Sequence, residues 1–288
     1  MSARLTKDYR AATALAVLLL IGRLAGDDAP PANGTLPALH VKQGYGVKGL
    51  VLWLAADGGV TSDAQGQVSK MVDRTGNFTL TSTGGNQGPT LIPAILNGHP
   101  VLRFNSNQSL YSPYNFGNAL DHAMTFIVVA MTKGADLEQF SLYFGQNASP
   151  GNNRAMAVLG GKEIFDGQYA ACIGPPALLN VFVAQGASIN PTLTRATFYR
   201  NGKKIGTAGL DPSDPKPFLE VSDGVTLGAA TDPVRGWNGD IAEALVYDRQ
   251  LTPAEMQTLW TALSAKYALP QTPAPSASTP TPSTGTSP

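Results

Sequence analysis

Between Leu50 and Val246 no apolar segment runs for long before Gly, Pro, Asn or Asp interrupts it. Punctuation at that spacing is the pattern of an antiparallel sandwich. The 22 prolines reinforce it, because each one inside a helix would remove a backbone donor and clash with the preceding turn. The segments that read as strands are 49–55, 90–95, 100–105, 124–132, 139–145, 154–159, 180–186, 195–200, 203–208, 224–229 and 240–247. The run 124–132 is apolar nearly throughout, as expected of a central strand covered on both faces. Asn201-Gly202, between 195–200 and 203–208, is the dipeptide that best tolerates the positive φ angles of a two-residue hairpin.

One helix follows the strands. Thr252 reads as its N-cap, Pro253 as its first residue and Glu255 as the partner that closes a capping box. Met256, Leu259, Trp260, Leu263 and Tyr267 then recur at helical spacing, so this face should lie against the sandwich, with Trp260 in the core.

The ends of the chain have a different character. Arg4, Lys7 and Arg10 precede an apolar run at 11–22, which has the make-up of a secretory leader and is shorter than the ~20 residues a transmembrane helix needs. A leader over 1–26 implies a secreted, cell-surface or periplasmic protein with no stable membrane span in its mature form. Residues 27–44 read as a flexible segment and 45–269 as the folded unit. Residues 270–288 contain no charged or aromatic side chain and read as a disordered Pro/Ser/Thr-rich tail.

LVLWLAAD at 50–57, MVDRTGN at 71–77, NGHPVLRFNSNQSLYSP at 97–113, MTFIVVAM at 124–131, FYRNGKKIG at 198–206, VTLGAA at 225–230 and the closing stretch 237–269 follow one another in the order of a known family. In them the chain resembles a bacterial laminin G-like, concanavalin A-like lectin/glucanase domain. The resemblance implies an all-β jelly-roll sandwich of two antiparallel sheets, one concave, with the C-terminal helix packed on it. It also implies rim loops that in many members bind glycans, sometimes with calcium. Other members serve as adhesion or oligomer-forming modules.

The family's β-glucan-cleaving enzymes carry two catalytic Glu with an Asp between them at alternating positions of one strand, which puts the carboxylates on one face at the separation a retaining mechanism requires. Only Glu138, Glu163, Glu220, Glu243 and Glu255 are present. Glu163 with Asp166, Glu220 with Asp223, and Asp240 with Glu243 are each three apart, which places each pair on opposite faces of a regular strand. This argues against an enzyme of that type. The 20 basic and 20 acidic residues balance, so no field attracts a nucleic acid. The one cysteine, Cys172, excludes an intrachain disulfide and reads as a small buried hydrophobe.

Sugar binding calls for aromatic faces and planar amides or Arg that hydrogen bond to vicinal hydroxyls. Tyr111, Tyr114, Asn115 and Asn118 supply them in one loop-like stretch, Asn152, Asn153 and Arg154 in a second, and Trp237 with Asn238 in a third, Trp237 being the expected exposed platform. Asp57, Asp73, Asp121 and Asp232 are loop acids that could serve calcium, although no cofactor is required. The expected function is an exported, non-catalytic module that binds a glycan or surface polymer. The alternatives are a structural or protein-interaction domain without a glycan site, and a divergent glycoside hydrolase or polysaccharide lyase.

Overall fold

The structure is a computed structural model that describes residues 39–82, 87–115, 122–134, 138–145, 153–167, 171–211, 223–230 and 235–270. The expected leader and nearly all of the expected tail lie outside these residues. Within them the strands, in chain order, are β1 (Lys42–Gly44), β2 (Val47–Ala55), β3 (Val60–Ser62), β4 (Val68–Val72), β5 (Thr79–Thr81), β6 (Thr90–Leu96), β7 (His99–Asn105), β8 (Leu110–Asn115) and β9 (Thr125–Thr132). They continue with β10 (Gln139–Gly145), β11 (Asn153–Leu159), β12 (Lys162–Asp166), β13 (Cys172–Pro176), β14 (Val183–Ile189), β15 (Arg195–Arg200), β16 (Lys203–Gly209), β17 (Asp223–Leu227) and β18 (Asn238–Tyr247), and the helix α1 (Pro253–Tyr267) follows.

Two nine-stranded sheets result. Sheet A runs β1-β2-β18-β9-β14-β15-β16, with β7 also pairing β18 and β6 pairing β7; sheet B runs β13-β12-β11-β10-β17-β8-β5-β4-β3. Every ladder between these strands is antiparallel. This is the expected jelly-roll sandwich.

Alternation along the strands sorts side chains between layers. In β9, Phe126, Val128 and Ala130 enter the core between the sheets, while Ile127 and Val129 face a second core under α1. That double burial explains the unbroken apolar run. The helix begins as expected, with the Thr252 hydroxyl accepting from the Glu255 amide and the Glu255 carboxylate accepting from the Thr252 amide. Met256, Leu259, Trp260, Leu263 and Tyr267 pack on the outer face of sheet A. Asn201 and Gly202 take φ of 49° and 75°, the expected two-residue hairpin turn.

Two details depart from the sequence reading. The folded body starts before residue 45, because β1 pairs with β2, and the His40 amide and carbonyl are both bonded to the Asn77 side chain. The register of β18 against β9 also skips a residue between Ile241 and Glu243. Ile241 and Ala244 face the inter-sheet core, so the bulge leaves both Ala242 and Glu243 on the outer face. Asp240 lies on that face too, where it pairs with Arg103, so Asp240 and Glu243 do not lie on opposite faces.

Candidate functional site

The outer face of sheet B carries a row of polar and aromatic groups. Leu142, Phe144, Met156, Val158 and Phe165 point into the inter-sheet core, whereas Phe140, Tyr143, Ala155, Ala157 and Ile164 form a separate cluster on the other side. Directly opposed residues share a face. Asp166 opposes Ala155, Ala155 opposes Tyr143, Tyr143 opposes Thr226, and Thr226 opposes Tyr111. The row therefore crosses five strands, and Tyr111 stands about 10 Å from Tyr143 at the usual strand spacing.

Asn153, two residues before Ala155 on β11, joins the same face and donates its amide to Asp166 Oδ2 at 3.0 Å. Two oxygens in this arrangement have no hydrogen-bond partner among the described residues: Asn153 Oδ1 and Thr226 Oγ1. Both residues are almost fully buried, at 1% and 3% exposure. Tyr143 and Asp166 are buried beside them, and Tyr111 is half-buried. Gly224 at φ 84° makes room for Tyr111, since a Cβ there would lie 2.8 Å from the ring. Next to the row, the Arg235 guanidinium sits 5.3 Å from the Phe140 ring and pairs with Glu138 at 3.3 Å.

Of the residues expected at a glycan site, Tyr111 and Asn153 meet on this face. The others do not join them. Tyr114 turns inward and packs edge-on against Phe78 at 5.1 Å, and burial raises its phenol. Asn115 ends β8 opposite Asp223. Asn153 and Arg154 belong to β11 rather than to a loop, and opposite parity sends Arg154 inward, fully buried, with Nη1 donating to the Asn153 carbonyl at 2.8 Å.

Trp237 is not an exposed platform. It is fully buried in the inter-sheet core, because its amide donates to Gly228 and its carbonyl accepts from Ser106, which holds the segment between strands. Asn238 opens β18, with its amide donating to Gln139 Oε1. Asn118, Asn152, Asp121 and Asp232 lie outside the described residues.

The two described loop acids are fully engaged by the protein itself. Asp73 is buried and accepts from the Trp53, Thr75 and Asn77 amides, as well as from the Thr75 hydroxyl, so it organises the turn at 73–77. Asp57 pairs with Arg74, Lys266 and His99. Burial works to raise its carboxyl, and the Lys266, Arg74 and His99 charges outweigh it, holding it below the usual carboxylate range. Among the described residues no group of three or more His, Cys, Asp or Glu comes together as a metal site.

A second polar cluster, on the outer face of sheet A, was missed by the sequence reading. Glu243 is 1% exposed and accepts from Tyr45 at 2.8 Å, Trp53 Nε1 at 2.5 Å, Lys266 at 2.9 Å and Tyr267 at 2.6 Å. Burial, followed by the Glu243 charge, pushes the Tyr45 and Tyr267 phenols far above their ordinary value, so both stay protonated donors. Lys266 bridges Glu243 to Asp57, and the Arg74 guanidinium lies 5.2 Å from the Trp53 ring. Apart from Tyr45, these residues come from 50–57, 71–77 and 237–269, three of the segments that carry the family resemblance. The arrangement ties the β1–β2 turn, the 73–77 turn and the end of α1 together. With Glu243 saturated by four donors, it is a fastening rather than a vacant site.

Comparison with known proteins agrees with this architecture. The family model described as the concanavalin A-like lectin/glucanases superfamily matches residues 114–257. No curated protein matches the sequence. Similar solved structures include the binding domain of botulinum neurotoxin DC in complex with rat synaptotagmin II, at 14% identity and TM-score 0.52, covering 75% of this chain and 52% of that one. The same binding domain in complex with SialylT gives 15% identity and TM-score 0.52 over 75% and 51% of the two chains. A mutant Trypanosoma rangeli sialidase displaying trans-sialidase activity gives 13% identity and TM-score 0.50 over 77% and 34%. This chain thus spans about half or less of these proteins' length, and at such identities the likeness is one of fold. The chain belongs to the concanavalin A-like lectin/glucanases superfamily.

Proposed function

We propose that this domain is a non-catalytic binding module, working outside the cytoplasm, that holds a carbohydrate on the outer face of sheet B. The observation that carries the reading is the pair of buried oxygens without partners, Asn153 Oδ1 and Thr226 Oγ1, in one arrangement with Tyr111, Tyr143 and Asp166. A buried polar atom left unmet costs about 1–3 kcal/mol, so a ligand that supplies hydroxyl groups gains what the free protein forgoes. Tyr111 offers a ring for C–H stacking, and Asp166 and the Asn153 amide offer directional hydrogen bonds.

Other considerations favour binding over hydrolysis. The row contains a single carboxylate, Asp166, whereas glycoside cleavage by the common routes needs two. Elsewhere Asp240, Glu243, Glu163 and Glu138 are each engaged by Arg or Lys. Among the similar structures, one was solved with SialylT, and another concerns a neurotoxin of type C that depends on interaction with two ganglioside molecules. The reading gives calcium no place at Asp57 or Asp73.

A glycan array followed by calorimetry, with and without calcium, tests the proposal. Thr226→Val and Tyr111→Ala should each weaken binding about ten-fold, worth about 1.4 kcal/mol, in a protein that melts normally. An array with no hits, or a bound glycan whose affinity ignores both substitutions, would remove carbohydrate recognition from this face.

A further inference from the structure

Three of the large apolar side chains that the described residues leave exposed fall within four positions: Leu178, Leu179 and Val181, at 41%, 41% and 40% exposure. They occupy the connection that leaves β13 at the edge of sheet B and enters β14 in sheet A. This connection is held at both ends. The Ala177 amide donates to the Gly161 carbonyl at 2.8 Å, and the Asn180 amide donates to the Thr132 carbonyl at 2.8 Å, with Asn180 at φ 58° in a tight reversal. Leu179 forms a bridge with Thr132, and the Arg200 side chain donates to the Pro176 carbonyl. Anchoring fixes the path of the backbone, and three neighbouring aliphatic side chains, unlike a single exposed Leu, form a patch that calls for an account. Here they point to solvent.

The surroundings are basic. Lys133 follows Thr132, the residue that anchors Leu179 and Asn180; Lys162 opposes Pro176 across the β12–β13 ladder; and Lys204 opposes Tyr199 beside the hairpin turn whose Asn201 amide donates to the Ala184 carbonyl, just after the tip enters β14. Lys133 and Lys204 are exposed and Lys162 is half-exposed. None of the three is paired with an acid among the described residues, and the one Glu of this seam, Glu163, is buried against Arg200.

We infer that the Leu178–Leu179–Val181 tip is a docking site for a negatively charged lipid bilayer. Its aliphatic side chains would enter the interfacial layer while Lys133, Lys162 and Lys204 meet the anionic head groups. A few aliphatic side chains ringed by long flexible cations match the surface of a bilayer, where each lysine adds attraction that fades within a Debye length. A protein partner would instead favour aromatic and Arg anchors at the centre of a larger patch. Peripheral docking of this kind needs no spanning segment, and among the described residues no helix is long and apolar enough to cross a membrane.

Co-sedimentation of the full chain with vesicles of phosphatidylcholine, alone or with about 30% phosphatidylserine, tests the inference. Binding should require the anionic lipid and fall steeply between ~0.1 and ~0.5 M salt. Leu178→Ser combined with Leu179→Ser should reduce it at least about ten-fold, with the melting temperature unchanged because neither side chain is buried. Lys162→Glu with Lys204→Glu should weaken it without touching the tip. Absence of vesicle binding, equal binding to neutral vesicles, or binding indifferent to the serine pair would overturn the inference. So would a self-association of the chain that the serine pair abolishes, since the tip would then be a protein contact.

Discussion

On the outer face of sheet A, Glu243 accepts from Tyr45, Trp53, Lys266 and Tyr267, whereas on the outer face of sheet B, Asn153 and Thr226 each keep an oxygen without a partner. Both faces combine tyrosine, a carboxylate and buried polar groups. They differ in whether the chain satisfies those groups by itself. A saturated cluster contributes to stability and has nothing left to offer a ligand, while an unsatisfied one costs the free protein and can be completed from outside.

The largest effect should come from breaking the saturated side. Glu243→Ala leaves two phenols and an indole without their acceptor and Lys266 with Asp57 as its remaining acid, and should cost about 3–5 kcal/mol in denaturant titrations. Affinity per folded molecule should be unchanged.

The seam between the sheets offers an intermediate case, because Glu163 Oε1 accepts twice from Arg200 while Oε2 has no partner among the described residues. Burial raises this carboxyl to about 7, against the opposing pull of Arg200. A carboxyl raised in the folded state stabilises at low pH, and that contribution is lost as pH climbs from about 4.5 through about 7. Glu163→Gln should therefore gain on the natural protein by about 2–3 kcal/mol between pH 4.5 and pH 8, read as a narrowing or reversal of the melting difference. A difference that does not move with pH would show that Glu163 is ionised throughout.

The smallest shift in stability is expected on the unsatisfied side, and it sharpens the comparison most. Thr226→Val replaces an unmet hydroxyl by a methyl group and should leave stability unchanged or raise it by up to about 1 kcal/mol, even as it weakens carbohydrate binding. A clear loss of stability would mean that the hydroxyl already has a partner, and the two faces would then differ less than the contacts suggest.

The sandwich was largely legible because apolar alternation survives in the central strands. Each of the eleven expected strands has a counterpart, though the one expected at 180–186 runs Val183–Ile189. It was misplaced because its buried positions include Ala184, Gly186, Ala187 and Ser188, which carry little apolar signal. Strands such as β8, with Tyr, Ser and Pro, and β13, with Gly and two Pro, read as loops for the same reason.

The site was legible only by residue type. Tyr111 and Asn153 have the right chemistry, but joining them to Thr226, Tyr143 and Asp166 depends on which strands become neighbours, and β8, β17, β10, β11 and β12 do not follow chain order. Trp237 misled because the glycine before it suggested a loop, whereas the segment is hydrogen-bonded between strands on both sides.

The skipped residue in β18 has a consequence for how this chain can vary. Residues before the skip pair with β7 and those after it with β2, while β9 runs along both halves from the other side. The strand is in effect two short strands of opposite phase spliced at Ala242. Removing that one alanine would restore regular alternation, with Ile241 and Ala244 still facing the inter-sheet core and Glu243 the outer face, each opposite its present β9 partner. A single-codon deletion is thus tolerated better at this point than elsewhere along β18, where it would turn every later side chain to the opposite face.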